Sequence, residues 1–113
     1  MTETDAQSNI ELIEKLQGAI DLMRSEYPKL NITAVSLFLL IASNERETYQ
    51  FFIKSTGWDK VTFTRYVSRL TDDAEQGAGL ITRQLLPGAS VERIVYLTGK
   101  GRALSNRLAE MIR

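Results

Sequence analysis

Neither cysteine nor histidine occurs anywhere in the 113 residues. The first absence excludes disulfides, thiolate metal sites and thiol redox switches. The second removes the commonest general base, the commonest nitrogen ligand for a metal and the usual switch near neutral pH. Catalysis would have to rest on carboxylates, lysines or hydroxyls, and no pair of these sits at a persuasive spacing. The chain therefore reads as a non-enzyme, with no catalytic residue, cofactor or metal. Long apolar runs are missing too. The longest, "AVSLFLLIA" from Ala34 to Ala42, is 9 residues and holds a serine, against the roughly 20 needed to cross a bilayer. The opening "MTETDAQSN" is acidic and polar, unlike a secretory leader. These features predict a cytoplasmic protein with no membrane contact.

Net charge is also absent: 14 Lys and Arg offset 14 Asp and Glu. For a nucleic-acid binder that balance is unusual, but its distribution is uneven. Residues 1–31 carry three basic and six acidic side chains, net −3; residues 60–107 carry eight basic and four acidic, net +4. An acidic N-terminal third and a basic C-terminal half are expected if one face meets a polyanion. With 43% hydrophobic and 25% charged residues, residues 1–113 suit one small domain around one core.

What is present is mainly helical periodicity. Residues 8–27 read as a first helix, capped by Ser8 or Asn9 and ended by Pro28. Its apolar seam is Ile13, Leu16, Ile20, Met23 and Tyr27. Asn31 or Thr33 caps a second helix to about Ser43, with Leu37, Leu40 and Ile41 on one face and Phe38 and Leu39 making it apolar nearly all round. A third runs from about Thr48 to Ser55 with Tyr49, Phe52 and Ile53 facing in. "TGWD" turns the chain, with Gly57 free to take a left-handed conformation. Asp59 then caps a fourth helix whose inner face is Phe63, Tyr66, Val67, Leu70 and Ala74. Its outer face is small, hydroxylated and basic: Lys60, Val61, Thr62, Thr64, Arg65, Ser68 and Arg69.

"LITRQLL" and "VERIVYLT" read as two short strands, joined through a Pro87-Gly88 turn. Thr98 caps a last helix, residues 99–113, with Leu104, Leu108 and Met111 on one stripe. Two helices joined by a short glycine-containing turn, then a hairpin, describe a winged helix-turn-helix: a mainly α fold with a small β-hairpin. "GKGR" at Gly99–Arg102 lacks the flanking residues of a phosphate loop.

At this point the chain resembles a known family. "GWDKVTFTRYVSRL" is similar to the recognition-helix segment of MarR-type transcriptional regulators, "GLITRQ" to the strand that follows it, and "ERIVYLTGKGRAL" to the second wing strand and next helix. The resemblance spans about residues 30–107 and is most specific at "LTGKGRAL". It implies a homodimeric regulator, a repressor, that binds palindromic double-stranded DNA and is released by a small-molecule effector. Position by position it puts Lys60, Thr62, Thr64, Arg65 and Arg69 in the major groove and Arg93, beside Glu92, at the base of the wing. The chain departs from it in a Thr71–Ala78 loop about five residues longer, in a wing tip "PGAS" without arginine and in one helix fewer at the end.

Elementary chemistry supports the same reading. Arginine can bond a guanine edge through two N–H groups, hydroxyls can bond base edges or phosphates, and Val61 can meet a thymine methyl. A free helix N-terminus also favours phosphate. The terminal helices, 8–27 and 99–113, are expected to pair across a two-fold through Ile13, Leu16, Ile20, Met23, Leu104, Leu108 and Met111. Trp58 and Phe51 offer an effector pocket, although aromatic residues in such places are more often core. The competing reading is a winged-helix protein–protein interaction module without DNA binding, favoured by the zero net charge, the acidic "DDAE" and the bare wing tip.

Overall fold

In the computed structural model the described residues are 3–72, 77–86, 88 and 92–113, with side chains described from residue 6 onward. They form α1 (Glu3–Glu26), α2 (Ile32–Ala42), α3 (Tyr49–Thr56), α4 (Lys60–Leu70), β1 (Ile81–Leu85), β2 (Arg93–Leu97) and α5 (Gly99–Ile112). Four helix starts are set by one side-chain oxygen each: Asn31, Thr48, Asp59 and Thr98 accept the N–H of Ala34, Phe51, Thr62 and Gly101. Each satisfies an N–H with no partner inside its helix. Gly57 ends α3 at φ 74, the left-handed geometry that lets the chain reverse into α4.

The first helix begins at Glu3, not at Ser8 or Asn9, which lie inside it. Glu, Ala and Gln upstream are good helix formers, and early acidic residues suit the positive end of the helix dipole. At 24 residues, α1 is about 36 Å long and accounts for much of the 57 Å longest dimension. It packs antiparallel to α5. Glu26 pairs with Arg107 at 2.6 Å, and Lys15 Nζ donates to the Arg113 carbonyl at 2.8 Å. Between these ties, Gly18 leaves room for the Met111 methyl, which a Cβ there would approach to 3.3 Å.

The core is built from α2, α3, α4, the hairpin and α5, joined by Ala19 and Met23 of α1. Phe38, Phe52, Phe63, Leu37, Ile41, Leu70, Leu80, Ile81, Val67 and Val95 are fully buried. Phe63 meets Tyr49 edge-on and lies parallel to Phe52, with ring centres 5.0 and 6.3 Å away. In α2 the buried face is Ala34, Leu37, Phe38 and Ile41. Leu40 is only half-buried and Leu39 is exposed, because solvent borders the side of α2 away from α4 and α5. Ala74 and Pro87 lie outside the described residues.

β1 and β2 form an antiparallel pair running from Ile81 opposite Leu97 to Leu85 opposite Arg93. The segment before α3 adds a partial third strand. Arg46 N–H donates to the Val95 carbonyl at 2.8 Å, Val95 N–H donates to Glu47 at 3.1 Å, and Thr48 bridges Ile94. "LTGKGRAL" joins this sheet to α5. Thr98 Oγ1 donates to the Gly79 carbonyl at 2.7 Å while accepting Gly101 N–H at 3.0 Å, and Lys100 Nζ donates to the Ala78 carbonyl at 2.9 Å.

Candidate nucleic-acid interface

Burial along α4 follows the helical period. Phe63, Val67 and Leu70 are buried, whereas Lys60, Val61, Thr64, Arg65 and Arg69 are exposed. Val61 is 78% exposed, a large apolar side chain that the fold itself does not use. Thr62 and Ser68 are half-buried, at the edges of the outer face. The outer face therefore presents three cations, a valine and a threonine on one rigid element.

The N-terminus of α4 carries a cap of its own. The Asp59 carboxylate supplies it, accepting Thr62 N–H at 2.7 Å. The bonds from Thr62 hold the Asp59 carboxyl below its usual range, with a smaller contribution from Arg65. A second anion there would meet a like charge. The helix terminus expected to favour phosphate is thus partly taken by its own cap.

The connection after α4 is closed at its base. Ala78 N–H donates to the Arg69 carbonyl at 3.0 Å, Gly79 to Thr71 at 3.2 Å and Leu80 to Leu70 at 2.8 Å. These bonds satisfy carbonyls that the end of any helix leaves open. They also tie the residues just before β1 to the end of α4. β2 is fixed to the start of α3 by the Thr48–Ile94 bridge. The helix pair and the hairpin are one hydrogen-bonded unit. Arg93 opens β2 opposite Leu85 and is exposed.

No protein-family model matches the chain, and no curated protein matches it by sequence. Solved structures do. A crystal structure of MarR aligns with 97% of this chain and 75% of its own length at 17% identity, TM-score 0.65. A SlyA-like transcription regulator from Listeria monocytogenes aligns with 98% of this chain and 68% of its own at 15% identity, TM-score 0.61. The fold is the MarR-type winged helix.

Within this MarR-type fold, Tyr66 packs against the core, as helical spacing suggests, but only in part. It is half-buried at the margin of α4. Arg65 and Arg69 place their guanidinium carbons 5.6 and 5.0 Å from its ring centre, and the Trp58 ring lies 5.3 Å away. Asn31 Nδ2 donates to the Tyr66 hydroxyl at 3.4 Å. That donor, with Arg69 and Arg65 nearby, lowers the hydroxyl's pKa from its ordinary 10.0. Sequence reasoning took Asn31 only for a helix cap and missed its second bond. The available signal was the position of Tyr66 on the wheel, about 60° from Arg69.

The MarR-type fold also divides the residues expected at a dimer contact. Met23, Leu104 and Leu108 are buried in the chain's own core. They hold α1 and α5 to the domain, so they are not available to a partner. Ile13, Leu16 and Ile20 are 65%, 54% and 39% exposed, and Met111 sits at 36% beside Gly18. Phe51 and Trp58 pack against the core and line none of the described grooves. The largest of these, about 590 Å³, lies instead between the end of α1 and the start of α2, among Met23, Arg24, Pro28, Leu30, Ile32 and Val35. Among the described residues there is no cluster of acidic groups able to hold a metal, and no helix is long and apolar enough to cross a membrane.

Proposed function

We propose that the protein is a sequence-specific, double-stranded-DNA-binding transcriptional repressor that acts as a homodimer in the bacterial or archaeal cytoplasm, with α4 in the major groove. The observation that carries this reading is the division of α4: Phe63, Val67 and Leu70 are buried, leaving Lys60, Val61, Thr64, Arg65 and Arg69 outward. Arg65 and Arg69 would read guanine edges, Val61 a thymine methyl, and Lys60 and Arg93 the phosphates. Thr62 and Ser68, half-buried, would contact backbone at the edge of the groove. The fold likeness to MarR and to a SlyA-like transcription regulator supports the reading at the level of the fold.

Dimerisation would use the outward stripe of α1, Ile13, Leu16 and Ile20, with Met111 at its border. That stripe is continuous with the groove between α1 and α2, because Ile20 lines both. The same groove is the space we assign to a small-molecule effector.

Selecting bound duplexes from a random pool tests the proposal. The expected product is an inverted repeat with half-sites about one helical turn, ~34–36 Å, apart. Arg65→Ala should abolish preference for that repeat and leave the fold intact. Retention of wild-type affinity and salt slope by this variant would remove α4 from the groove.

The second reading, a protein–protein interaction module, is favoured by the zero net charge of the chain. A salt titration on random duplex separates the two. Micromolar binding that weakens steeply with salt favours the regulator, and no binding at low salt favours the module.

A further inference from the structure

The geometry points to Tyr66 as a positioning residue that holds both reading arginines, Arg65 and Arg69, in place before DNA arrives. This rests on the proposed DNA-binding role of α4. Arg69 is three residues after Tyr66, where helix neighbours meet on the surface. Arg65 is adjacent in sequence, and its side chain turns back over the same ring. Both guanidinium carbons lie within the roughly 6 Å over which an aromatic ring attracts a cation. The ring itself is fixed from three directions. Phe63, Val67 and Leu70 anchor α4 from below, Trp58 packs beside the ring, and Asn31 reaches the hydroxyl from α2. Asn31 is fixed in turn: its Oδ1 accepts Ala34 N–H at 2.9 Å, which leaves Nδ2 as the group that faces Tyr66.

An unrestrained arginine has considerable rotamer freedom to lose on binding a base edge. A ring that already restricts two arginines reduces that loss, so more of the contact energy appears as affinity for the correct sequence. Phosphate contacts depend on the number of charges rather than on their exact orientation. The clamp is therefore expected to act on sequence preference and to leave the salt dependence alone.

The experiment compares wild type, Tyr66→Leu and Tyr66→Phe on two probes: the duplex recovered by selection with wild type, and a random duplex of equal length. Tyr66→Leu should lower the ratio of the two affinities by about tenfold, ~1.4 kcal/mol, with an unchanged salt slope. Tyr66→Phe, which keeps the ring, should restore the ratio to within about threefold. Equal losses on both probes would overturn the clamp. In the free protein, NMR ring-current shifts at the Arg65 and Arg69 side chains should vanish in the leucine variant and survive in the phenylalanine one. Identical shifts in all three proteins would also overturn it. Should wild type bind neither duplex, the DNA reading itself fails, and these shifts still decide whether the clamp exists.

Discussion

Glu45 receives the guanidinium of Arg102 on both carboxylate oxygens, at 2.9 and 3.1 Å, and one of those oxygens also accepts the Leu97 N–H at 3.0 Å. One side chain thus joins the connection before α3, the end of β2 and the first turn of α5. The Arg102 bond, then the Leu97 N–H, hold the Glu45 carboxyl below its ordinary value of 4.5. A carboxylate depressed in the folded state stabilises fully above its unfolded pKa, and that stabilisation is lost as pH falls through the folded value. The melting temperature should stay level from about pH 7 to 5.5 and fall below about pH 4.5. Glu45→Gln should lower it at neutral pH and reduce the acid slope. Glu26 and Asp59 are depressed as well, by Arg107 and by Thr62 respectively, so part of the slope should remain. Identical acid limbs in variant and wild type would mean that Glu45 has no part in the pH response.

Gly101 and Gly99 share one helical turn and should respond oppositely to alanine. A Cβ on Gly101 would overlap the backbone carbonyl of Leu80, whereas one on Gly99 meets nothing within 4 Å. Backbone cannot rotate aside as a side chain can. Gly101→Ala must push α5 away from β1 and should cost about 3 kcal/mol. Gly99→Ala should be neutral or slightly stabilising. Denaturant melts of the two variants check this, and a Gly101→Ala midpoint equal to wild type would show that α5 stands further from Leu80.

These residues also mark the limit of what the amino-acid order discloses. The caps Asp59 and Thr98, and Asn31 as one of two candidates, were legible because each acts on an N–H three residues away, whereas Thr48 was read only as the start of its helix. The outward set Lys60, Val61, Thr64, Arg65 and Arg69 was legible because helical period alone separates it from Phe63, Val67 and Leu70. Tyr66 was legible only as an inward residue; that it is half-buried and meets Asn31, 35 positions off, was not. The Glu45–Arg102 pair spans 57 positions and leaves no local pattern. The seam of α1 was visible as one stripe, yet only packing shows that Met23 turns inward while Ile13 stays out. The early start of α1 was hidden because Ser8 and Asn9 are good caps that the helix passes through.

Tyr49 is a different case, a polar atom that the fold does not satisfy. Its ring packs edge-on against Phe63, and its hydroxyl is buried with no hydrogen-bond partner among the described residues. An unpaired buried hydroxyl is costly, and removing it relieves that cost without opening a cavity. Tyr49→Phe should leave stability unchanged or raise it by up to about 1 kcal/mol. A loss of more than about 1 kcal/mol in a urea melt would reveal a partner for the hydroxyl.

The proposed dimerisation through α1 makes the last prediction, because in it fold and assembly would depend on different residues of one stripe. Met23 sits in the core, while Ile13 and Leu16 stand out from the domain on either side of Lys15, where α5 ends against α1. Charging the outer pair should therefore break the assembly and spare the fold. Ile13→Asp/Leu16→Asp is expected to sediment as a monomer with the far-UV spectrum of the parent. A chain with one α4 reads one half-site. Binding to an inverted repeat should then weaken by two orders of magnitude or more, about 3 kcal/mol, while binding to an isolated half-site stays the same. A variant that remains dimeric would move the two-fold to another surface, and a variant that unfolds would show that α1 needs these side chains within its own chain.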